Sequence, residues 1–199
     1  MNRRQRRRRA RIRRVLIALP PVALAALYLV GLALPAVHSA VVTRQLPGSP
    51  ETVWAILMDL DAMPAWRTDL RGLERLPDHN GSVRWREETA HGERTMRRLT
   101  ALPPERLVVG VDESGRREWE YRVERREQGS VIAITERVWV TNPLRRPFVA
   151  IFGLDRDSLE RIVDGLEARA AGVRQVATRV SGPVAQSAAP PQRTSARAR

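Results

Sequence analysis

The stretch from Val131 to Ala171, VIAITERVWVTNPLRRPFVAIFGLDRDSLERIVDGLEARAA, changes its hydrophobic period at one point. Up to Val140 the period is two: Ile132, Ile134, Glu136, Val138 and Val140 share one face, and Val131, Ala133, Thr135, Arg137 and Trp139 share the other. Past Asn142-Pro143 the apolar residues recur at helical spacing, with Phe148, Ile151, Phe152, Leu159, Ile162, Val163 and Leu166 on one stripe. The stretch therefore predicts a strand over 131–140, a break at Asn142-Pro143, and a helix from about Leu144 to Ala171 that stops at Gly172. The first face of the strand is the more continuously apolar, so we expect it to point inward.

Upstream of this stretch the signals are those of strands. Leu70–Leu76 is bounded by Asp78-His79-Asn80-Gly81, and Val83–Thr89 by His91-Gly92. Arg94–Leu102 stops at Pro103-Pro104, Leu107–Asp112 at Ser114-Gly115, and Arg117–Arg125 at Gln128-Gly129. A further strand, Ala40–Leu46, comes first. Between it and Leu70 lie two short helices. One covers about 50–59, with Ser49 as N-cap and Pro50 at the first helical position; the other ends near Trp66. The order β-α-α-β6-α is an α+β fold with a seven-stranded antiparallel sheet. Such a sheet curls and needs cover on its apolar face, and the last helix is the large apolar element available. A curved sheet gripping a helix encloses a cavity wherever side chains do not fill the gap.

Several short patterns then point to a family. Ser49-Pro50-Glu51-Thr52-Val53-Trp54 resembles the P-x-x-V-W that opens the first helix of the START-like, or SRPBCC, superfamily, and within it the polyketide cyclase/dehydrase and lipid-transport type proteins. Asp59, Pro64 and Trp66 follow at that family's spacing. Thr135-Glu136 falls in the last strand and Asn142-Pro143 introduces the last helix. The resemblance covers about Val41 to Ala171 and implies the helix-grip fold. It does not fix the function, because the superfamily hosts lipid carriers, cyclases, hormone receptors and chaperone regulators.

The N-terminus reads as a membrane signal. Nine arginines and no acid fall in residues 1–14, and 15–37 hold no charged side chain. As a helix that run is about 34 Å long, against a hydrocarbon core of roughly 30 Å. We expect a basic cytoplasmic segment at 1–14 and a transmembrane helix at 15–38. A helix-grip domain at 40–172 would then lie outside the cytoplasm, single-pass, followed by a disordered basic tail at 173–199. The competing reading is a signal peptide cleaved after Ser39, which exports the same domain. Pro20-Pro21 weakens the anchor by interrupting the helix, whereas a signal peptide's apolar run is shorter than this one.

Charge excludes less than its total implies. The formal net charge is +13 and every basic residue is arginine. The two termini carry that excess; residues 15–172 hold 21 basic and 22 acidic side chains. The folded part is close to neutral, which argues against nucleic acid as a partner. The chain has no cysteine, so disulfides and thiolate metal sites are excluded.

The candidate site is an aromatic wall with one polar handle. Trp85 and Glu87 share a strand face, as do Trp119, Tyr121 and Val123. With Trp66 at the rim, Ile132, Ile134 and Glu136 on the last strand, and Phe148 and Phe152 on the long helix, they form a candidate ligand-binding set. Glu136 is either a buried carboxylate facing a ligand or a structural partner of Arg97 or Arg98. His38, His79 and His91 fall at the membrane interface or in turns, and no serine elbow, metal cluster or cofactor motif is present. The expected partner is a membrane lipid or hydrophobic small molecule held without a cofactor or metal, with 15–37 in the bilayer. The sequence does not set the oligomeric state. Two alternatives stand: a polyketide-cyclase-like enzyme on a small aromatic substrate, with Glu136 or Glu87 as acid or base, and a ligand-free interaction module with a packed interior.

Overall fold

The computed structural model describes residues 19–90, 92–112, 116–153 and 156–180. Seven strands form one antiparallel sheet: β1 (Val37–Leu46), β2 (Leu70–His79), β3 (Ser82–Thr89), β4 (Gly92–Leu102), β5 (Arg106–Val111), β6 (Arg117–Arg126) and β7 (Gly129–Trp139). Their spatial order is β1-β7-β6-β5-β4-β3-β2. Thus β2 to β7 run as a meander, and the first strand returns to pair with the last, Val41 opposite Thr135. Strand boundaries fall within a few residues of those read from the turns.

The helices are α1, whose described part covers 19–33, α2 (Pro50–Met58), α3 (Met63–Trp66), α4 (Arg146–Phe152) and α5 (Arg156–Val180). Ser49 caps α2 as expected, its hydroxyl accepting from the Thr52 amide at 3.3 Å. Asn142 does the same for the turn before α4, accepting from the Leu144 amide at 2.9 Å. α5 lies across the inner face against β1, α2 and α3, and buries Leu159, Ile162, Val163, Leu166 and Ala170.

Three expectations are corrected. The helix over 144–171 is two helices, because α4 ends at Phe152 with Gly153 as its C-cap. Phe148, Ile151 and Phe152, expected on the buried stripe, are 54%, 71% and 80% exposed; the stripe that continues into the core begins at Leu159. Gly172 does not stop α5, which runs on to Val180; this glycine lacks the positive φ of a helix stop. Residues 173–180 of the expected tail are therefore helical, and 181–199 lie outside the described residues.

No helix among the described residues is long and apolar enough to cross a membrane. The fifteen described residues of α1 span about 22 Å. The uncharged run also leaves the helix before its end: Leu34–Ala36 form a three-residue joint, and Val37 already belongs to β1. Residues 1–18, including the basic segment, lie outside the described residues. A cut after Ser39 would fall inside β1, between residues paired with Arg137 and Glu136.

Candidate functional site

Between the inner face of the sheet and the helices lies a cavity of about 170 Å³. The sheet contributes alternate residues of β3 to β6, among them Trp85, Met96, Val109, Trp119 and Tyr121; α2 and α3 contribute Leu57, Met63 and Trp66, and α5 contributes Ile162. The period-two reading of β3 and β6 thus places Trp85, Glu87, Trp119 and Tyr121 together. α3 reaches this position because Gly165 of α5 has no side chain: a Cβ there would stand 2.0 Å from the Trp66 carbonyl oxygen. Trp66 is buried rather than rimming an open mouth, and its Nε1 has no hydrogen-bond partner among the described residues.

The polar wall centres on Glu87, which is fully buried. Its Oε1 accepts from Arg67 Nη1 at 2.9 Å and from Trp85 Nε1 at 3.0 Å. Its Oε2 accepts from Arg94 Nε at 2.9 Å and Nη2 at 2.6 Å. Arg67 also grips Asp69, with Nε 3.1 Å from Oδ1. The Arg94 guanidinium lies 4.9 Å from the Trp119 ring centroid, a cation–π distance. Burial pushes the Glu87 carboxyl up, but the charges of Arg67 and Arg94 and the hydrogen bonds from Trp85 and Arg94 outweigh it. The group stays below the ordinary carboxylate range. Burial lowers Arg67, yet Glu87 and Asp69 more than offset it, so its pKa is raised. Tyr121 is pushed up to about 12, first by burial, with the Glu87 charge adding to it against Arg67. At neutral pH the wall therefore holds an ionised carboxylate with its acceptor oxygens occupied, two guanidiniums, and a protonated phenol.

The remaining candidates lie elsewhere. Ile132 and Ile134 are fully buried, which confirms the inward face of β7, but they belong to the packed core beside the cavity. Glu136 is also buried and inward, yet it does not line the cavity; Arg117 approaches it at 3.4 Å. The expected partners are engaged otherwise: Arg97 lies 3.6 Å from Asp112, and Arg98 borders the cavity near Met58. Phe148 and Phe152 face away from the cavity on exposed α4. Sequence reasoning missed Arg67, Arg94, Met96 and Val109. The pairing of β3 with β4 sets Arg94 directly opposite Glu87.

A second buried carboxylate lies on the opposite face of the sheet. Glu120 of β6 accepts from Arg106 Nε at 2.7 Å and Arg122 Nε at 2.8 Å, and Arg137 Nη1 stands 2.8 Å from its other oxygen. Burial would raise its pKa, but the three hydrogen-bonded arginines hold it down at about 2. Glu120 does not line the cavity behind Trp85 and Tyr121, and none of the described residues form a cluster of acids and histidines fit for a metal ion.

The sequence matches the model of the polyketide cyclase/dehydrase and lipid transport family over residues 37–171. The chain belongs to that family. A solved START superfamily protein from Mycobacterium smegmatis shares this fold at TM-score 0.54 and 19% identity, covering 68% of this chain and 99% of its own. The Zhui aromatase/cyclase from Streptomyces sp. R1128 gives 0.57 at 16% identity, covering 74% and 99%. A norcoclaurine synthase from Thalictrum flavum gives 0.59 at 12% identity, covering 69% and 96%. At these identities the likeness is one of fold. Comparison with curated proteins gives no significant match. Family membership agrees with binding of a hydrophobic small molecule between sheet and helix.

Proposed function

We propose that the protein is a membrane-tethered binding domain that takes an apolar small molecule, or the apolar end of a lipid, into the cavity behind Trp85, Trp119 and Tyr121. The observation that carries this reading is the cavity itself, lined mainly by apolar side chains, four of them aromatic, with a polar patch centred on Glu87. An apolar cavity of about 150 Å³ holds a benzene ring, so about 170 Å³ suits one small ring or a short acyl segment. Burial of apolar ligand surface contributes roughly 25 cal/mol per Å². The donors left over on the wall, the Tyr121 hydroxyl and Trp66 Nε1, orient a carbonyl or hydroxyl oxygen of the guest. The tether reading rests on the arginine-rich N-terminus and the uncharged run after it. A retained anchor accords with β1 beginning at Val37, upstream of the thinkable cleavage point.

Native mass spectrometry of the full chain in mild detergent tests the reading. A co-purifying small mass is expected, and it should vanish in Val109→Phe, which fills the cavity. An apo spectrum that persists after incubation with fatty acids, phospholipids and planar aromatic compounds overturns it. A phosphatase fused after Gly172 should be active outside the cytoplasm; an inactive fusion would overturn the topology.

The cyclase-like reading finds one supporting observation, a protonated Tyr121 beside the Arg94 guanidinium, a pair suited to polarising a substrate carbonyl. An acid–base role for Glu87 is disfavoured, because two arginines hold it ionised. Turnover of an aromatic polyketide-like substrate that falls in Tyr121→Phe with binding retained would favour the enzyme.

A further inference from the structure

The short helix α4 displays its apolar side chains to solvent, and the protein fixes it there. Phe148, Ile151 and Phe152 are 54%, 71% and 80% exposed on a seven-residue helix. Single exposed apolar residues need no explanation, but three on one short helix do. Polar bonds anchor both ends of the segment. Arg146 donates to the carbonyl oxygens of Val140 at 3.0 Å, Gly31 at 3.2 Å and Leu34 at 3.2 Å. At the other end Arg117 Nη2 donates to the Gly153 carbonyl at 3.1 Å. The preceding turn packs so tightly on α1 that a Cβ on Gly31 would lie 1.9 Å from the Pro143 carbonyl oxygen.

The place where α4 is fixed matters most. Gly31 and Leu34 belong to the last turn of α1 and the joint after it, the level at which the uncharged run gives way to the domain. α1 itself exposes large apolar residues along its described length, Leu19, Val22, Leu24, Leu29, Val30 and Leu32 among them. The apolar surface of α4 thus continues that of α1 at its exit end. The stretch 141–154 contains no acid, and exposed Arg145 flanks the aromatic residues.

We propose that α4 is a second membrane contact: Phe148, Ile151 and Phe152 enter the headgroup–acyl boundary of the leaflet at the C-terminal end of α1, and Arg145 meets lipid phosphates. Amphipathic segments with this pairing of aromatic and cationic residues lie about 5–10 Å into that boundary. The inference rests on the reading that α1 enters the bilayer. Its consequence is orientation, since a single spanning helix can tilt in the bilayer, whereas a second contact beside it restricts the tilt of the domain.

The chain has no cysteine, so single-cysteine variants of the full protein report position without background. Leu24→Cys, Phe152→Cys and the exposed sheet control Glu88→Cys would each carry an NBD label. The protein is reconstituted into phosphatidylcholine–phosphatidylglycerol vesicles, without spin-labelled lipid or with a mixture of lipids spin-labelled near the headgroup and at mid-chain. The expected result is a blue shift and quenching at positions 24 and 152, and neither at 88. Quenching at 24 without quenching at 152 overturns this inference and leaves the tether standing. Loss of quenching at both overturns the two together. A blue shift at 152 without quenching means protein contact, such as a second copy, and also overturns it.

Discussion

Glu87 and Glu120 lie on opposite faces of one sheet, both buried, both ionised, both held by arginine. On the inner face Glu87 is held by two guanidiniums and an indole and adjoins a cavity lined with aromatic rings. On the outer face Glu120 sits beneath three arginines that are themselves partly exposed. A buried, shifted carboxylate is thus a weak marker of a site, since a structural ion cluster produces the same signature. What distinguishes Glu87 is its neighbour across the wall. The inner cluster makes a polar patch for a guest; the outer one joins β5, β6 and β7.

The largest expected effect separates the two clusters by their redundancy. Arg67→Met removes a buried partner of both Glu87 and Asp69, and should destabilise the full chain in urea unfolding by about 3–5 kcal/mol. Arg122→Met leaves Glu120 with Arg106 and Arg137 and should cost less than about 1 kcal/mol. Equal costs would break the contrast.

Acid should next reveal what the carboxylates have in common. Both pKa values are lowered by folding, so their stabilisation is full above the unfolded value near 4.5 and is lost as pH falls toward the folded value, about 2 for Glu120. Glu120→Gln should flatten the stability profile between those limits, removing on the order of 2 kcal/mol after allowance for screening of the exposed arginines. A profile unchanged by the substitution would contradict the outer cluster's ionic character.

Ligand affinity then sharpens the difference. For whatever compound the mass spectrum identifies, Glu87→Gln should weaken binding by about tenfold, or roughly 1.4 kcal/mol, through disorder of the polar wall. Glu120→Gln should leave the affinity unchanged in the same calorimetric titration. The smallest effect is spectroscopic. With Tyr28→Phe as background, the phenol absorbance of Tyr121 should titrate near 12, and Glu87→Gln should lower that midpoint by removing a nearby negative charge. A midpoint that does not move would mean that burial alone sets it.

The sequence made the inner wall legible and the outer clamp invisible. Strand alternation places Trp85 with Glu87 and Trp119 with Tyr121, because period two fixes the face whatever the twist. It also puts Ile132, Ile134 and Glu136 inward. Which inward residues meet the cavity and which meet the core depends on sheet curvature, and no local pattern encodes that; Glu136 falls on the core side for this reason. Arg67 escaped notice because it follows a four-residue helix whose approach depends on a glycine a hundred residues away. The split of the last helix was hidden by spacing: Phe148, Ile151 and Phe152 fit the stripe of Leu159 and Ile162 in one dimension. In three, α4 ends at Phe152 and its apolar side chains stay exposed.

The joint Leu34–Ala36 has a mechanical consequence. It is three residues long, and the Val140 amide pins it by donating to the Ala36 carbonyl at 2.8 Å. Fully extended, three residues reach about 10 Å, so with α1 in a bilayer the domain has a fixed address rather than a territory. Under the proposed tether it would work as a berth, exchanging a bound guest only with molecules that diffuse to it, whereas a ferry would need a longer rope. A flexible Gly-Ser insert at Pro35 would convert one into the other.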